Sequence, residues 1–373
     1  MKKETVLSGY SRAKTGALFS IALGISLFSC FPGQVERMYS IGIYPGIAAT
    51  LRFLTRWAPF SMGDFLYVII VILLLIKAIR TGILLYRKQY SRIQFQQFLF
   101  RLLKLGLWVY IIFKLLWGLN YDRSGIAAQL QIANTTYRKE EVTQLTHQLI
   151  DTLNAYRRQF SDTALPEPAL DTIYCEAYRS YLTVSRDFPF LNYRNRSVKA
   201  SLFSGLGDYM GYSGYYNPFT GEAQVRSDLP RVLIPFITCH EIAHQLGYAS
   251  ESEANFVGYL AAASSADAYF KYSVYNDLFS YAQGEELMLY AKEQDSTAFV
   301  QVIQYNQTHL DSLVKKDRKE IREFFRKRSN RISPAVSSLY DQYLKFNNQA
   351  RGLDSYNEVV GWLIAYQKKY GRV

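Results

Sequence analysis

The pentapeptide His240-Glu241-Ile242-Ala243-His244 is an HExxH motif, and it contains two of the only four histidines in the chain. On an α-helix, positions i and i+4 lie on one face, about 6 Å apart along the axis. Both imidazoles can therefore bind one zinc ion while Glu241 points toward the water on that ion. The spacing predicts Zn²⁺ as cofactor, His240 and His244 as metal ligands, and Glu241 as the general base of a hydrolase.

A third metal ligand is expected close to the motif, because catalytic zinc normally has three protein ligands and a water. Gly247 can end the motif helix and reverse the chain, so the next helix should begin near Ser250. Ser250 and Glu253 fit an S-x-x-E capping box, in which both side chains satisfy backbone amides at the helix start. This leaves Glu251 as the predicted third ligand, with Glu253 as the alternative metal ligand.

Asn255 follows Glu251 by four positions and should lie on the same face of that second helix. There its side chain can hydrogen-bond the outer nitrogen of a metal-bound histidine. Such a bond fixes the tautomer and the direction of the imidazole ring. We therefore predict that Asn255 orients one of the two histidine ligands from behind.

His240-Glu241-x-x-His244 followed by Glu251-x-x-x-Asn255 resembles the gluzincin clan of zinc metallopeptidases, although the seven positions from His244 to Glu251 are few for that clan. More closely, residues 214–260 are similar to an uncharacterised family of bacterial membrane proteins with an N-terminal multi-helix anchor. That similarity extends over most of the chain. The resemblance implies a zincin-like fold, a zinc ion and a peptide or protein substrate.

Three apolar segments precede the motif, at about residues 15–35, 60–79 and 102–119. Each is close to the roughly 20 residues that cross a bilayer, and basic and aromatic residues flank them, as is typical of membrane spans. The chain is therefore predicted to be mainly α. A three-helix transmembrane anchor covers residues 1–120, and a mostly helical zincin-like domain with a short β-hairpin or small sheet covers residues 121–373.

Lysines and arginines are distributed unequally around these segments. They are dense at the N-terminus and between segments two and three, whereas the longer loop between segments one and two has only Arg37, Arg52 and Arg56. The positive-inside rule then predicts a multi-pass protein of the bacterial inner membrane, with a cytoplasmic N-terminus and residues 121–373 in the periplasm. Residues 44–57, which include two of these arginines, predict an amphipathic helix at the membrane interface.

A glycine- and tyrosine-rich stretch precedes the motif. Residues 212–216 and 222–226 flank a turn-like segment at 217–221, and this pattern predicts a β-hairpin. Pro230 and the polar residues just before it predict the start of the motif helix, which should end at about Leu246.

Other elements complete the predicted cleft. Gln224 and Val225 are predicted on an edge strand that pairs with an extended substrate. Amphipathic helices are predicted at residues 340–346 and 359–366. A tyrosine hydroxyl is expected to stabilise the oxyanion that forms during hydrolysis, and the candidates are Tyr259, Tyr272 and Tyr275.

The composition limits the other function classes. The net charge of +12 does not predict nucleic-acid binding, because the basic residues flank apolar segments or alternate with acids. Three cysteines are too few for a disulfide framework. The sequence thus favours a membrane-anchored zinc metallopeptidase whose partners are the lipid bilayer and a peptide or protein. The alternatives are a catalytically inactive binding or scaffold protein with a zincin-like fold, and a zinc hydrolase of another amide such as one in the cell wall.

Overall fold

The computed structural model describes residues 2–87, 89, 91–132, 136–160, 164–293, 295–330, 338, 342 and 358–373, with side chains left out for residues 2–12 and Arg92. The chain is mainly α-helical with one small mixed sheet, and the predicted class is confirmed at this level. The predicted helix at 359–366 lies within a helix at Glu358–Tyr370. The one predicted at 340–346 lies outside the described residues, apart from position 342.

The N-terminal part consists of long apolar helices joined by shorter ones. They are α1 (Lys2–Ser29), α2 (Pro32–Gln34), a π-helix (Val35–Ile43), α3 (Tyr44–Thr55), α4 (Met62–Tyr86) and α5 (Arg92–Leu116). Within the described part of the chain, α4 is the helix that is long and apolar enough by itself to cross a membrane. The segments Ala13–Ser29 and Pro32–Thr55 qualify only as a pair, and the chain bends by 97° between them. One or two helices can thus cross; three crossings remain a prediction.

Two of these helices pack together while α4 exposes apolar side chains. Leu18 and Ala22 of α1 form a small cluster with Ile111 of α5. In α4, the side chains from Ile69 to Ile76 are all about half exposed. Contact with water costs roughly 25 cal/mol for each Å² of such surface, so this face of α4 favours a lipid environment.

The remaining helices form the body of the protein around one large core. They are α6 (Gly125–Leu130), α7 (Lys139–Arg157), α8 (Leu170–Asp187), α9 (Gly207–Met210), α10 (Ile234–Gln245), α11 (Glu251–Ala263), α12 (Ala268–Lys292), α13 (Ser296–His309), α14 (Ser312–Arg328) and α15 (Glu358–Tyr370). In α7, Leu145, Leu149 and Leu153 recur every four residues and are buried. This spacing puts an apolar stripe on one face of the helix, and that face packs along α12.

The sheet has three short strands, β1 (Val198–Ala200), β2 (Gly214–Asn217) and β3 (Glu222–Val225), in the order β1-β3-β2. Strands β2 and β3 form the predicted hairpin, with Tyr215 opposite Gln224. Strand β1, which the sequence did not reveal, pairs in parallel with β3. The predicted edge strand at Gln224 and Val225 is therefore wrong, since β3 is central and paired on both sides. Among the described strands, β2 has the free edge on the hairpin side.

The start of α4 is bonded to the sheet. Glu222 of β3 accepts a hydrogen bond from the amide of Gly63 at 2.6 Å, which places a negative charge at a helix N-terminus where it is favourable. Asp64 accepts a hydrogen bond from the Tyr215 hydroxyl of β2 at 2.5 Å. These contacts cross the predicted boundary between residues 1–120 and 121–373, and they hold the start of α4 in a fixed position relative to β2.

Helix α3, the predicted amphipathic helix, packs one face against the body, and its place at a membrane interface stays a prediction. Arg52 is only 2% exposed, and its guanidinium donates to the carbonyl oxygens of Arg194 and Gln245 at 2.8 and 3.1 Å. A buried guanidinium needs such acceptors, which a membrane interface would not fix in place. Leu54 and Trp57, by contrast, are exposed.

Candidate metal centre

The HExxH motif lies on α10, whose ends follow from local sequence. A 3-10 turn at Arg231–Leu233 precedes the helix, and Pro235 rather than the predicted Pro230 occupies its first turn. The helix ends at Leu246, as predicted, and Gly247 has a φ of 89°. In this left-handed conformation a side chain is strained. A Cβ at Gly247 would also lie 2.8 Å from the ring of Tyr44.

The next helix, α11, brings a carboxylate to the two histidines. Oε2 of Glu251 lies 3.2 Å from Nε2 of His240 and 3.7 Å from Nε2 of His244. Tetrahedral ligands at zinc distances of 2.0–2.1 Å are about 3.4 Å apart. All three donor atoms lie within 4.8 Å of one another, and together they could hold one metal ion.

The outer nitrogen of each histidine is held by a protein oxygen. Nδ1 of His240 lies 2.7 Å from Oδ1 of Asn255, and Nδ1 of His244 lies 2.7 Å from the carbonyl oxygen of Tyr248. Because a carbonyl oxygen only accepts, Nδ1 of His244 carries a hydrogen, and Nε2 is the nitrogen that faces Glu251 and would bind a metal ion. Outer contacts of this kind are typical of metal-binding histidines. The structure places Asn255 where the sequence predicted it. The Tyr248 carbonyl was missed, since a backbone atom leaves no signal in the sequence.

The three side chains form a charged network. Burial opposes the charged form of His244, but its hydrogen bond to Glu251 and the negative charge there raise the pKa of His244 to about 9. Burial alone would raise the pKa of Glu251, yet the hydrogen bonds from the two imidazoles keep this pKa well below its usual range. The centre of the group therefore favours positive charge, which a divalent cation supplies when it displaces the proton.

Glu241 lies beside this group with part of its carboxylate uncommitted. It is 3% exposed, and its Oε2 has no hydrogen-bond partner among the residues that the structure describes. Burial raises its pKa to about 7, against the opposing effect of the two imidazoles. The carboxylate rests against β2, because a Cβ at Gly214 would lie only 2.5 Å from Oε1. A buried carboxylate with a raised pKa is suited to proton transfer near neutral pH.

Glu253, the alternative ligand, is directed elsewhere. Its Oε1 accepts a hydrogen bond from the amide of Ile126, at the start of α6, at 2.6 Å. Burial raises its pKa, although the charge of Arg123 lowers it. The predicted capping box is wrong, because the Ser250 side chain makes no bond to an α11 amide and lies 3.0 Å from the Ser252 hydroxyl. Glu253 thus accepts a hydrogen bond at the start of α6 and is not part of the group of metal-donor atoms.

The last turn of α10 is bonded by residues from the N-terminal helices. Nε1 of Trp117 donates to the carbonyl oxygen of His244 at 3.1 Å, and the Tyr44 hydroxyl donates to that of Gln245 at 3.0 Å. Arg52 donates to the same Gln245 oxygen. The Gln245 carbonyl is one that the end of a helix leaves without a backbone partner, whereas the His244 carbonyl also accepts from the amide of Gly247 at 3.0 Å. Sequence reasoning missed these side-chain donors, because aromatic residues at the ends of apolar segments suggest anchoring at a membrane interface.

A cavity of about 1360 Å³ opens in front of the histidines. Its polar floor contains His240, Glu241, His244, Glu251, Asn255 and Tyr281. Its walls are mainly apolar and come from α4, α5, α12, α14 and the segment that leads into β2. Concave, largely apolar pockets with a few convergent polar groups are typical of ligand-binding and active sites.

Tyr281 of α12 lines this cavity and is close enough to Glu251 and Asn255 to interact with both. Burial, together with the charges of Asp277 and Glu251, raises its pKa, so its hydroxyl stays protonated at neutral pH and can donate a hydrogen bond. The tyrosines predicted for this task do not line the cavity. Tyr272, for example, donates to Asp317 at 2.7 Å. Those predicted positions were Tyr259, Tyr272 and Tyr275.

The chain belongs to the family described as "Protein of unknown function (DUF3810)", whose model matches residues 39–364. The match includes α4, α5, the sheet and every residue of the donor group. No curated protein and no solved structure matches the chain. An argument about activity must therefore rest on the geometry of the site.

Proposed function

We propose that this chain is a membrane-anchored zinc metallopeptidase. The observation that carries the proposal is that Nε2 of His240 and Nε2 of His244 lie 3.2 and 3.7 Å from Oε2 of Glu251, so that three donor atoms could hold one metal ion. A structural zinc site usually has four protein ligands and favours cysteine. In the described part of the chain no cysteine joins the group, since Cys239 is buried among apolar residues. Three ligands leave one position for water, as hydrolytic sites require.

The residues around the site suit hydrolysis by an activated water. Zinc, when bound, supplies Lewis acidity that lowers the pKa of water toward 7. Glu241 is the general base. Its uncommitted Oε2 takes the proton of the attacking water, and the same carboxyl group then gives the proton to the leaving amine. Asn255 keeps the ring of His240 turned so that its Nε2 faces Glu251.

Tyr281 is the proposed donor to the oxyanion. It lines the same cavity as Glu241 and is close to Glu251 and Asn255. Two other tyrosines of the cavity wall are already engaged: the hydroxyl of Tyr212 donates to the Phe203 carbonyl, and that of Tyr215 to Asp64. Loss of one oxyanion donor typically lowers kcat by about 10²–10³-fold.

A peptide is the proposed substrate because a free strand edge borders the site. Gly214 of β2 lies directly against Glu241, and the outer edge of β2 carries no other strand among the described residues. An extended peptide can pair with such an edge through main-chain hydrogen bonds, which hold its backbone beside the base. The resemblance of the motif to gluzincins agrees with this choice over another amide.

We further propose that α1, α4 and α5 anchor the chain in a bacterial inner membrane. Support comes from the apolar surface of α4 and from the basic residues near the N-terminus and between α4 and α5. By the positive-inside rule those regions are cytoplasmic. The body with the metal centre is then periplasmic.

The test is a comparison of zinc content and proteolysis in detergent-purified protein. Wild type should hold about one zinc per chain and cleave a quenched-fluorescence peptide library. Glu241→Gln should keep the zinc and lose cleavage, whereas Glu140→Gln, an exposed change on α7, should alter neither. Full activity in Glu241→Gln would refute the proposed base. Zinc binding without cleavage of any peptide by wild type would instead support the inactive scaffold.

A further inference from the structure

One side of the active-site cavity is formed by α4, the helix proposed to cross the membrane. We propose that the substrate is a peptide joined to a bilayer-embedded apolar segment, and that this segment reaches the cavity from the membrane between α4 and α5. The proposal rests on the peptidase function above and specifies its substrate class. Cleavage would then occur in the chain just outside the membrane.

Four residues of α4 line the cavity that also contains Glu241. They are Tyr67, Val68, Val71 and Ile72. At about 100° per residue, these positions fall within one face of the helix that is about 140° wide. Since α4 is the helix best suited to cross a bilayer, one face of the span itself forms a wall of the active site.

This wall extends well into the depth of the membrane. Phe65 is the first exposed apolar side chain of α4, and Ile72 follows it by seven residues, or about 10 Å along the helix. The hydrocarbon core of a bilayer is about 30 Å thick, so one leaflet contributes about 15 Å. The cavity wall therefore extends below the membrane surface. A water-soluble peptide does not reach this depth, whereas a membrane-embedded segment does.

The opposite wall comes from the end of α5. Phe113 and Trp117 line the cavity, and Trp117 is bonded to the backbone of the motif helix through His244. On the other side, Asp64 and Glu222 bond α4 to the sheet. Hydrogen bonds therefore hold α4 and the end of α5, the two walls of this gap, in fixed positions relative to the metal centre.

The lip of the cavity is apolar where it adjoins α4. Leu206 and Met210 line the cavity and are about half exposed, and Leu202 is exposed beside them. The amide of Leu202 donates to Asp64 at 2.8 Å, so this lip lies at the level of the first turn of α4. Exposed apolar side chains beside a membrane helix are expected to dip into the bilayer. The mouth of the cavity would then open at the membrane surface.

The chemistry around the base favours a peptide over a lipid. The free edge of β2 lies beside Glu241 and provides amides and carbonyls for an extended backbone. A phospholipid head group would require an available cation. Of the two arginines that line the cavity, Arg318 is committed, because its guanidinium donates to Asn276 and Ser280 at 3.0–3.2 Å. Arg322 is exposed, so a lipid substrate is one outcome that the test below must exclude.

The kinetic test uses the full chain in phosphatidylcholine–phosphatidylglycerol vesicles. One fluorogenic peptide is presented in two forms, free in solution and fused to a transmembrane segment. Wild type should cleave the fused form with the higher kcat/KM. Ile72→Trp fills part of the cavity beside α4. It should lower the ratio of kcat/KM for the fused peptide to that for the free peptide by about tenfold, the effect of one lost apolar contact. Leu73→Trp, on the opposite face of α4, should leave that ratio unchanged.

Three results would overturn the proposal: no preference for the fused peptide, an equal effect of the two tryptophan variants, or Glu241-dependent release of fatty acid from the vesicles, which would identify a lipid substrate. A cross-linking arm separates this proposal from the peptidase function. In a Glu241→Gln chain with Cys30→Ser and Cys175→Ser, Ile72→Cys should form a disulfide with a cysteine in the apolar segment of the fused peptide. Leu73→Cys should not, and equal cross-linking would refute the entry route even if nothing is cleaved.

Discussion

Two glutamates on one helix provide the sharpest test of the metal centre. Glu251 and Glu253 are two positions apart at the start of α11, and both are wholly or largely inside the protein. Glu251 faces the two imidazoles, whereas Glu253 faces the amide of Ile126. The same substitution, Glu to Gln, therefore removes a carboxylate from the metal centre in one case and from a helix start in the other.

The expected magnitudes differ in kind. Loss of an outer hydrogen-bond partner usually weakens metal binding by 10–100-fold, so loss of Glu251 as a direct ligand should weaken zinc binding by more than about 100-fold. Glu253→Gln keeps an acceptor for Ile126 and loses only the charge assistance. Because burial raises the pKa of Glu253, the neutral amide also removes a buried charge, so the free energy of unfolding should change by less than about 1 kcal/mol and zinc affinity should stay nearly unchanged.

Both quantities can be measured on the two purified variants. Zinc content per chain and competition with a chelator give the zinc affinity, and thermal unfolding gives the stability. We expect Glu251→Gln to be poor in zinc but folded, and Glu253→Gln to be zinc-replete with nearly unchanged stability. If Glu251→Gln kept wild-type affinity while Glu253→Gln lost the metal, the assignment of the third ligand would be wrong. If both kept it, the histidines would be binding zinc with some other partner.

Three further outcomes follow from the same geometry. Asn255→Ala frees Nδ1 of His240 and should weaken zinc binding by about 10–100-fold, as measured by chelator competition. Gly214→Ala forces Glu241 aside by nearly 1 Å and should lower kcat by about 100-fold at unchanged zinc content; wild-type turnover would show that the strand can yield. Because the pKa of His244 is raised to about 9, zinc must displace a proton at neutral pH. Apparent zinc affinity should therefore rise from pH 7 to 9 and level off above that, and a flat profile would contradict this proton displacement.

The parts of the site that could be predicted from the sequence are those set by neighbouring residues. The i, i+4 spacing of the histidines, the helix end at Gly247 and the start of α11 after Ser250 all depend on contacts within about ten residues. The hairpin of β2 and β3 is likewise set by its own turn. For these elements, local geometry leaves few alternatives.

What could not be predicted depends on partners distant in the chain. Glu253 fits a capping box locally, but its actual partner, Ile126, is 127 positions away. Arg52 fits an interfacial helix locally, but it bonds the carbonyl of Gln245, 193 positions away. Strand β1 has only three residues and forms only because β3 is beside it. In each case the local sequence pattern is compatible with the prediction, but contacts with residues distant in the chain determine the observed structure.

Cutting the chain at residue 120 tests how far the metal centre depends on the N-terminal helices. A fragment of residues 121–373 lacks Tyr44, Arg52 and Trp117, which supply the bonds to the carbonyls of His244 and Gln245. The His244 carbonyl keeps a bond from the amide of Gly247 at 3.0 Å, but the Gln245 carbonyl loses both of its side-chain donors. A buried carbonyl left without a partner costs about 1–3 kcal/mol, against the 5–15 kcal/mol that stabilises a typical domain.

We therefore expect the 121–373 fragment to unfold at a lower temperature and to bind little zinc. The matched control is a fragment of residues 32–373, which lacks α1 but keeps all three donors to the motif helix. In detergent it should retain about one zinc per chain, because the bonds from Tyr44, Arg52 and Trp117 remain and α1 adds only apolar packing, through its cluster with α5 and through Ile25 and Phe28. Equal zinc affinity in the two fragments would show that the helical body folds its metal centre alone. A difference would mean that the N-terminal helices are a structural part of that centre, as expected if its substrates come from the bilayer.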